Sequence, residues 1–186
     1  MVQWEFVPAT NRAGGLLCIR SEKVFSLTNK VLGGGFVFLE GKWVADDTEI
    51  LIVNIYSPCD LSLKRNLWEA IKQLRHANME ELWCVIGDFN NVRSPLERLG
   101  ISQRPQADSS TREFNEWIDD LEIEDVPCIG RRFTWYRPNG TTKSRLDRAL
   151  VSAEWIDKWP GTNQLILDRN YSDHFPILLR STAVDW

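Results

Sequence analysis

The hydrophobic pattern in the first half of the chain changes its period at Asp60. Before this point, "GLLCIRS", "FVFLEGKWVA" and "EILIVNIYSP" are three strand-like runs. The second run alternates apolar and polar residues and the third is almost wholly apolar, which predicts an edge strand and a central strand of one sheet. After it, apolar residues recur on one helical face, at Leu63, Leu67, Ile71 and Leu74. We therefore predict an amphipathic helix over "LSLKRNLWEAIKQLRHA", followed by the strand "LWCVIGDFN".

Helix and strand signals are also mixed in the second half of the chain. The stretch "NVRSPLERLGISQRPQADSS" predicts an ordered loop, and Ser110 with Glu113 matches a capping box at the start of a helix. Two β-rich runs flank Asn139-Gly140 and predict a hairpin. A short helix "AEWIDKW" and the strands "NQLILDR" and "PILLR" close the chain. This mixture of hairpins and crossovers predicts an α/β or α+β class, and 186 residues predict one domain over residues 1–186.

Composition limits the classes of function. The net charge of −4 gives no global attraction to nucleic acid, although basic residues crowd one segment: Arg131, Arg132, Arg137, Lys143, Arg145 and Arg148. The four cysteines lie far apart beside apolar residues, which indicates buried, reduced thiols and argues against a zinc site or a disulfide framework. The sequence contains neither an apolar run of membrane length nor the pattern of a signal peptide, so we expect an intracellular protein, nuclear or cytoplasmic.

Polar residues stand at predicted strand ends or in loops, in four clusters: Tyr56 in "IYSP", Asp88 and Asn90 in "GDFN", Asp147 in "SRLDR", and Asp173 with His174 in "YSDH". Turns would explain some of them, because Gly, Asp and Asn favour turns. Asp147 between two arginines is also typical of a surface ion pair. A functional site is the alternative, because α/β enzymes place ligand groups at the carboxyl ends of strands.

Taken together, these residue types fit one kind of chemistry. Of the two histidines, His76 ends a polar helix and is expected in solvent, whereas His174 lies between two strands beside an acid. A histidine held by a carboxylate such as Asp147 can activate water near neutral pH. Asp88 and Asp173 could supply oxygen ligands for a hard cation such as Mg²⁺, and an asparagine and a tyrosine could hold a phosphorane. The set describes metal-assisted phosphodiester hydrolysis.

The order of these motifs resembles that of a known family. The phrases "YSP", "GDFN", "RLDR" and "SDH", in this order, resemble the endonuclease/exonuclease/phosphatase superfamily, which includes pancreatic deoxyribonuclease and the apurinic endonucleases. The longer phrases "WCVIGDFNNVRSPLER", "GRRFTWYRPNG", "KSRLDRALVS" and "SDHFPILL" are similar to the endonuclease domain of plant LINE-type retrotransposons. The resemblance spans the chain from about Gly14 to Leu179 and implies a four-layer α/β sandwich with the site at one rim.

The resemblance also implies a role for each motif residue. His174 corresponds to the general base and Asp147 to the carboxylate that orients it, while Asp88 and Asn90 position the nucleophile and contact the phosphate. Asp173 corresponds to a metal-binding or metal-proximal aspartate and Tyr56 to a phosphate-contacting tyrosine. We therefore expect Mg²⁺ or Mn²⁺, bound by Asp173 and Asp88, and DNA or another phosphodiester as substrate. The candidate nucleic-acid contacts are Arg131, Arg132, Arg137 and Arg145.

The family's first two motifs, an asparagine and the principal metal-binding glutamate, have no counterpart before "GGLLCIRS". Glu5, Glu22 and Glu40 do not match the glutamate motif and are expected at the surface. We therefore expect a sandwich without the first strands and helix, with weak metal binding and weakened or lost catalysis. The alternative is a pseudoenzyme or a non-catalytic interaction module. An uncovered sheet edge predicts a homodimer or a protein partner.

Overall fold

Strands and helices are mixed along the whole described chain, which confirms the predicted α/β class. The computed structural model describes residues 1–9, 15–78, 82–100, 109–138 and 140–181. The strands are β1 (Val2–Val7), β2 (Leu16–Ser21), β3 (Phe25–Gly33), β4 (Phe36–Trp43), β5 (Thr48–Tyr56), β6 (Leu82–Asp88), β7 (Arg98–Leu99), β8 (Ile123–Asp125), β9 (Cys128–Ile129), β10 (Trp135–Tyr136), β11 (Lys143–Ser144), β12 (Asp147–Ser152), β13 (Thr162–Ile166) and β14 (Ile177–Ser181). The helices are α1 (Leu61–Ala77), α2 (Ser109–Asp120) and α3 (Ala153–Lys158).

The chain divides into two compact units, Met1–Asp88 and Phe89–Trp186, and the single domain over residues 1–186 stays a prediction. In the first unit, β3, β4, β5 and β6 pair side by side in this order. The first two pairs are antiparallel, whereas β5 and β6 are parallel and are connected through α1, as a parallel pair requires a crossover.

The position of β4 differs from the expectation. β4 lies between β3 and β5 and buries Phe36, Val37, Phe38 and Leu39, so its prediction as an edge strand is wrong. The alternation that suggested an edge is confined to the second half of the strand, and the continuous apolar half is buried on both faces. The central position predicted for β5 is confirmed.

Helix α1 occupies the predicted residues. The side chain of Asp60 accepts a hydrogen bond of 3.0 Å from the backbone N–H of Leu63, which satisfies one of the unpaired donors at a helix start. Leu67, Trp68 and Ile71 are buried on one face. Burial of such side chains contributes about 1.5–3 kcal/mol each, so the amphipathic stripe, not intrinsic propensity, holds the helix in place.

Strands β1 and β2 form a separate antiparallel hairpin. Trp4 lies opposite Ile19, and Phe6 lies opposite Leu17. These four side chains and Val2 are all more than half exposed, so one face of the hairpin is an apolar surface. Strands β1 and β3 were not among the predicted strands. On the other face, Glu5 is largely shielded and pairs with Lys30, which corrects its expected place at the surface.

The second unit contains three groups of strands and an aromatic core. β14, β13 and β9 form one sheet, β10, β11 and β7 form another, and β12 pairs antiparallel with β8. Helix α2 packs Phe114 and Trp117 in a stacked pair 5.9 Å apart, with Phe89 5.4 Å from Phe114. Ser110 was predicted to cap this helix, but it is the second helical residue, and its hydroxyl donates instead to the buried Asn91 at 3.2 Å.

Three smaller expectations have mixed outcomes. β10 and β11 pair as the predicted hairpin, although Asn139 of its turn lies outside the described residues, as does most of the predicted loop before α2.

All four cysteines are unpaired, but Cys59 is exposed, so the prediction that every thiol is buried was wrong. Burial of Cys84 raises the pKa of its thiol to about 12, so this group is inert. None of the described helices is long and apolar enough to cross a membrane.

Candidate active site

The structure brings Asp147 and His174 together. Asp147 is the first residue of β12, and His174 lies in the loop between β13 and β14, 27 positions away along the chain. Nδ1 of His174 lies 2.8 Å from Oδ2 of Asp147, and both side chains are mostly shielded from solvent. A carboxylate at Nδ1 fixes the orientation of the ring and favours the tautomer that carries its proton there. Proton exchange with a substrate would then use Nε2.

Thr134 holds the two segments that carry this pair. Its hydroxyl oxygen accepts hydrogen bonds from the backbone N–H groups of Leu146 and Asp147, both at 2.9 Å. Its backbone carbonyl accepts the N–H of Phe175 at 2.7 Å, directly after His174. Thr134 is fully buried, so these bonds are made away from water. Sequence reasoning missed this residue, and the only available signal was a threonine inside the apolar phrase "FTWY".

Asp173 is anchored beside the histidine. Its Oδ2 accepts a hydrogen bond of 2.8 Å from Nε1 of Trp135, and its backbone carbonyl accepts the N–H of Tyr136 at 3.0 Å. Trp135 also forms a β-bridge with His174. The backbone of β10 therefore fixes the loop that carries both Asp173 and His174. Trp135 is a second residue that the sequence did not indicate as part of the site.

Asn90 adopts the left-handed backbone conformation, with φ of 45°, which asparagine tolerates better than most residues. The preceding Phe89 donates its N–H to the carbonyl of Leu146 at 3.0 Å, one residue before Asp147. Gly87 and Asp88 still belong to β6, so the chain bends only at Asn90, and the turn explanation does not hold for the first half of "GDFN". The bend does not exclude a functional role, because the hydrogen bond of Phe89 holds the residue directly before Asn90 against the segment that carries Asp147.

Asp88 and Tyr56 belong to the first unit and are register partners at the ends of β6 and β5. The carbonyl of Asp88 accepts the N–H of Ser57 at 2.8 Å. Gly87, just before it, has φ of 142°, and an added Cβ would lie 2.1 Å from the carbonyl oxygen of Ile55. Only glycine fits there, because β5 and β6 approach each other closely directly before Asp88. The roles of Asp88 and Tyr56 in phosphate and metal binding stay predictions.

The two arginines that flank Asp147 do not pair with it. Arg145 lies 2.7 Å from Asp125 and 3.4 Å from Glu97, and its side chain is only 14% exposed. Arg148 is fully buried and contacts the same two carboxylates at 2.6 and 2.8 Å. The interpretation of Asp147 as part of a surface ion pair is wrong. The guanidinium of Arg145 is committed to these largely shielded carboxylates, and its contact with nucleic acid stays a prediction.

This buried ion cluster lowers the pKa of Glu97. Burial alone would raise the pKa of Glu97, but the guanidiniums of Arg148 and Arg145 and a hydrogen bond from the N–H of Arg93 outweigh it and hold the pKa below its usual range. Burial opposes the charge of Arg148 as well, yet Asp125 and Glu97 raise its pKa further. Both groups are therefore charged at neutral pH, and the cluster ties the loop after β6 to β12.

The other three predicted nucleic-acid contacts are exposed. Arg131 pairs with Asp168 and lies over the ring of Phe175, and Arg132 donates to the backbone carbonyl of Leu96. Arg137 is exposed at the end of β10. Their contact with nucleic acid stays a prediction. His76 is exposed at the end of α1, as expected.

The described residues combine a mixed α/β fold with a carboxylate–imidazole pair at the start of β12. The chain belongs to the Endonuclease/Exonuclease/phosphatase family, whose sequence pattern matches residues 6–174. Membership confirms the superfamily that the motif order resembles. No curated protein sequence gives a significant match.

Solved structures share the fold at low sequence identity. The endonuclease domain of TRAS1, a telomere-specific non-LTR retrotransposon, has a TM-score of 0.72 and 14% identity, over 99% of this chain and 81% of that chain. The AP endonuclease LMAP from Leishmania major has a TM-score of 0.71 and 15% identity, over 95% and 69%. The catalytic domain of Xenopus laevis APE2 has a TM-score of 0.67 and 13% identity, over 97% and 75%. At these identities the likeness establishes the fold alone.

Proposed function

We propose that the protein hydrolyses phosphodiester bonds of nucleic acid, with His174 as the general base. The observation that carries the proposal is the contact of 2.8 Å between Nδ1 of His174 and Oδ2 of Asp147. Family membership supports a hydrolase, and the similar structures named above include endonucleases. We further propose that the protein derives from a plant LINE-type retrotransposon, and the support for this origin is the similarity of its longer sequence phrases, such as "WCVIGDFNNVRSPLER".

In the proposed reaction, His174 accepts a proton at Nε2 from a water molecule while the water oxygen bonds to phosphorus. The bond between phosphorus and the leaving sugar oxygen breaks, and that oxygen takes a proton from solvent. Asp147 stabilises the imidazolium that forms, which is the usual contribution of a carboxylate at Nδ1. We assign to the Asn90 amide a hydrogen bond to a phosphate oxygen, as the resemblance of the phrase "GDFN" to the family motif implies.

The oxygen donors near His174 fit a divalent cation. Asp173 is exposed to solvent, and its carboxylate accepts a hydrogen bond from Trp135 through Oδ2. Carboxylate oxygens are the ligands that Mg²⁺ and Mn²⁺ prefer. We propose Asp173 as a metal ligand, and Asp88 stays the second predicted carboxylate. A bound cation would supply positive charge to the phosphate.

The test compares the two histidines of the chain. Purified protein is assayed for plasmid nicking and for hydrolysis of bis(p-nitrophenyl) phosphate, with Mg²⁺ or Mn²⁺ and with excess chelator. We expect activity that chelator removes and that His174→Ala removes, whereas His76→Ala retains it, because His76 is exposed on α1. Cleavage that survives His174→Ala would show that the general base is elsewhere.

A second candidate function is self-association through the hairpin of β1 and β2, with or without catalysis. The apolar face formed by Val2, Trp4, Phe6, Leu17 and Ile19 favours it, because exposed apolar patches of this kind mark interaction sites. We propose a second copy of the chain as the partner. Sedimentation at several concentrations should show dimers that Trp4→Lys dissociates. Monomers at every concentration would exclude it.

A further inference from the structure

Three cations lie over two aromatic rings beside the loop that carries His174. The guanidinium of Arg169 lies 5.8 Å from the ring centroid of Tyr136 and 5.5 Å from that of Phe175. Nζ of Lys143 lies 5.1 Å from the Tyr136 ring, and the guanidinium of Arg131 lies 5.0 Å from the Phe175 ring. The two rings are 5.0 Å apart. We call these five residues the cationic–aromatic surface.

Backbone contacts connect this surface to the candidate active site. The N–H of Tyr136 donates to the carbonyl of Asp173 at 3.0 Å, and Phe175 follows His174 directly. A ligand on the surface would therefore lie along the same loop as the proposed general base. The surface is separate from the buried ion cluster, since it uses neither Arg145 nor Arg148.

The charge of the surface contrasts with that of the chain. The protein carries a net charge of −4, yet this surface holds three cations. Arg131 pairs with Asp168, whereas within the described residues neither Arg169 nor Lys143 forms an ion pair. A cation held over a ring keeps its charge while its side chain loses freedom, so it is prepared for an anion. Phosphates of a backbone are the anions that the proposed function supplies.

Tyr171 adds an exposed ring on the same loop. It lies three positions before His174, and 99% of its surface is exposed. A surface that binds only the phosphates of a duplex needs no such ring, because the bases of a duplex are paired and stacked inside it and cannot stack on a side chain. The combination of cations with an exposed ring is instead typical of proteins that bind single strands, in which the cations follow the phosphates and the ring stacks on a base.

We propose that the cationic–aromatic surface and Tyr171 bind an unpaired segment of a nucleic-acid strand, with the base of one nucleotide stacked on Tyr171. The inference rests on the proposed function and deepens it by selecting unpaired strands over intact duplex. Arg169 and Lys143 contact the phosphates on either side of the stacked base. The selection would direct cleavage to strands that are open or frayed near the scissile bond.

The test measures binding in excess chelator, so that the result does not depend on whether the protein cleaves the probe. The probes are fluorescein-labelled oligothymidylate of about 12 nucleotides, an abasic strand of equal length and a duplex of equal length, followed by fluorescence anisotropy. We expect oligothymidylate to bind most tightly. Tyr171→Ala should weaken its binding by about 5- to 150-fold and leave the abasic strand unaffected, whereas Tyr171→Phe should retain binding.

The charged residues provide the second part of the test. Arg169→Ala and Lys143→Ala should weaken the binding of both single strands and make the affinity decline less steeply with salt concentration. The control is Lys42→Ala, whose side chain pairs with Asp47 and Glu49, and this variant should change neither quantity. Equal binding by wild type and Tyr171→Ala, or preference for duplex, would overturn the proposal. Because binding is measured without metal, an inactive protein that still binds in this way would refute the proposed hydrolysis alone.

Discussion

The buried guanidinium of Arg148 lies 2.8 Å from Oε2 of Glu97, while the adjacent residue Asp147 lies 2.8 Å from Nδ1 of His174. Two neighbouring charges of opposite sign therefore serve different partners. Arg148 is directed into the protein, where it also contacts Asp125 at 2.6 Å. This leaves Asp147 with the imidazole, so the ion cluster fixes β12 without neutralising the carboxylate that the proposed mechanism uses.

Removal of Arg148 should destabilise the second unit strongly. Arg148→Ala leaves the largely shielded carboxylates of Glu97 and Asp125 without their fully buried partner, and breaking a buried ion pair costs about 3–5 kcal/mol. The measurement is the free energy of unfolding from urea denaturation followed by tryptophan fluorescence. The matched control is Arg112→Ala, whose pair with Glu116 is exposed and 3.6 Å long, and which should cost less than about 1 kcal/mol. Equal losses in both variants would contradict the assignment.

Stability should fall in acid because of Glu97. The folded state holds the pKa of Glu97 below its unfolded value of about 4.3, so the folded state binds fewer protons than the unfolded state in this range. The stabilisation is complete above the unfolded pKa and is lost as the pH falls through the folded pKa. Urea denaturation between about pH 7 and pH 3 should therefore show a steeper acid loss in wild type than in Glu97→Gln. A Glu116→Gln control, at an exposed site, should keep the wild-type slope.

The sequence predicted local elements better than charge partners. Helix α1 was predictable because its apolar stripe and its Asp60 cap lie within one segment. Strand β3 was missed because most of its residues are exposed, so the alternation that marks a half-buried strand is weak. The ion pairs of Arg145 could not be predicted because its partner Glu97 is 48 positions away along the chain. A cluster of arginines in the sequence indicates positive charge but not whether the side chains are buried. Their ion-pair partners come from distant segments and are known only from the fold.

Within the candidate site, the motif order resembled that of the family and indicated the residues that the structure then placed in contact, Asp147 with His174. Thr134 and Trp135 could not be predicted in the same way. Their contribution is a set of hydrogen bonds to backbone and carboxylate groups of other segments, and no residue pattern in "FTWY" specifies those partners.

Thr134 should act as a positioning residue. Thr134→Val keeps the shape but removes the acceptor for the N–H groups of Leu146 and Asp147, and an unsatisfied buried group costs about 1–3 kcal/mol. We expect lower stability and a lower kcat for bis(p-nitrophenyl) phosphate, with KM almost unchanged, because the substrate does not touch Thr134. Thr134→Ser restores the hydroxyl and should recover kcat. If Thr134→Ser is as slow as Thr134→Val, the methyl group and not the hydrogen bonds would be responsible.

Asp147→Asn should test the proposed chemistry most directly. The amide is nearly isosteric with the carboxylate, but its NH₂ group can donate to Nδ1 of His174, which favours the tautomer with the proton on Nε2. That nitrogen then cannot accept a proton from water, and the imidazolium loses its counter-charge. The loss of a general base lowers the rate by about 10²–10⁴-fold, so kcat for bis(p-nitrophenyl) phosphate should fall by this factor. Asp157→Asn, at an exposed position of α3, is the matched control and should retain the wild-type rate. A wild-type rate in Asp147→Asn would show that His174 is not oriented by this carboxylate during the reaction.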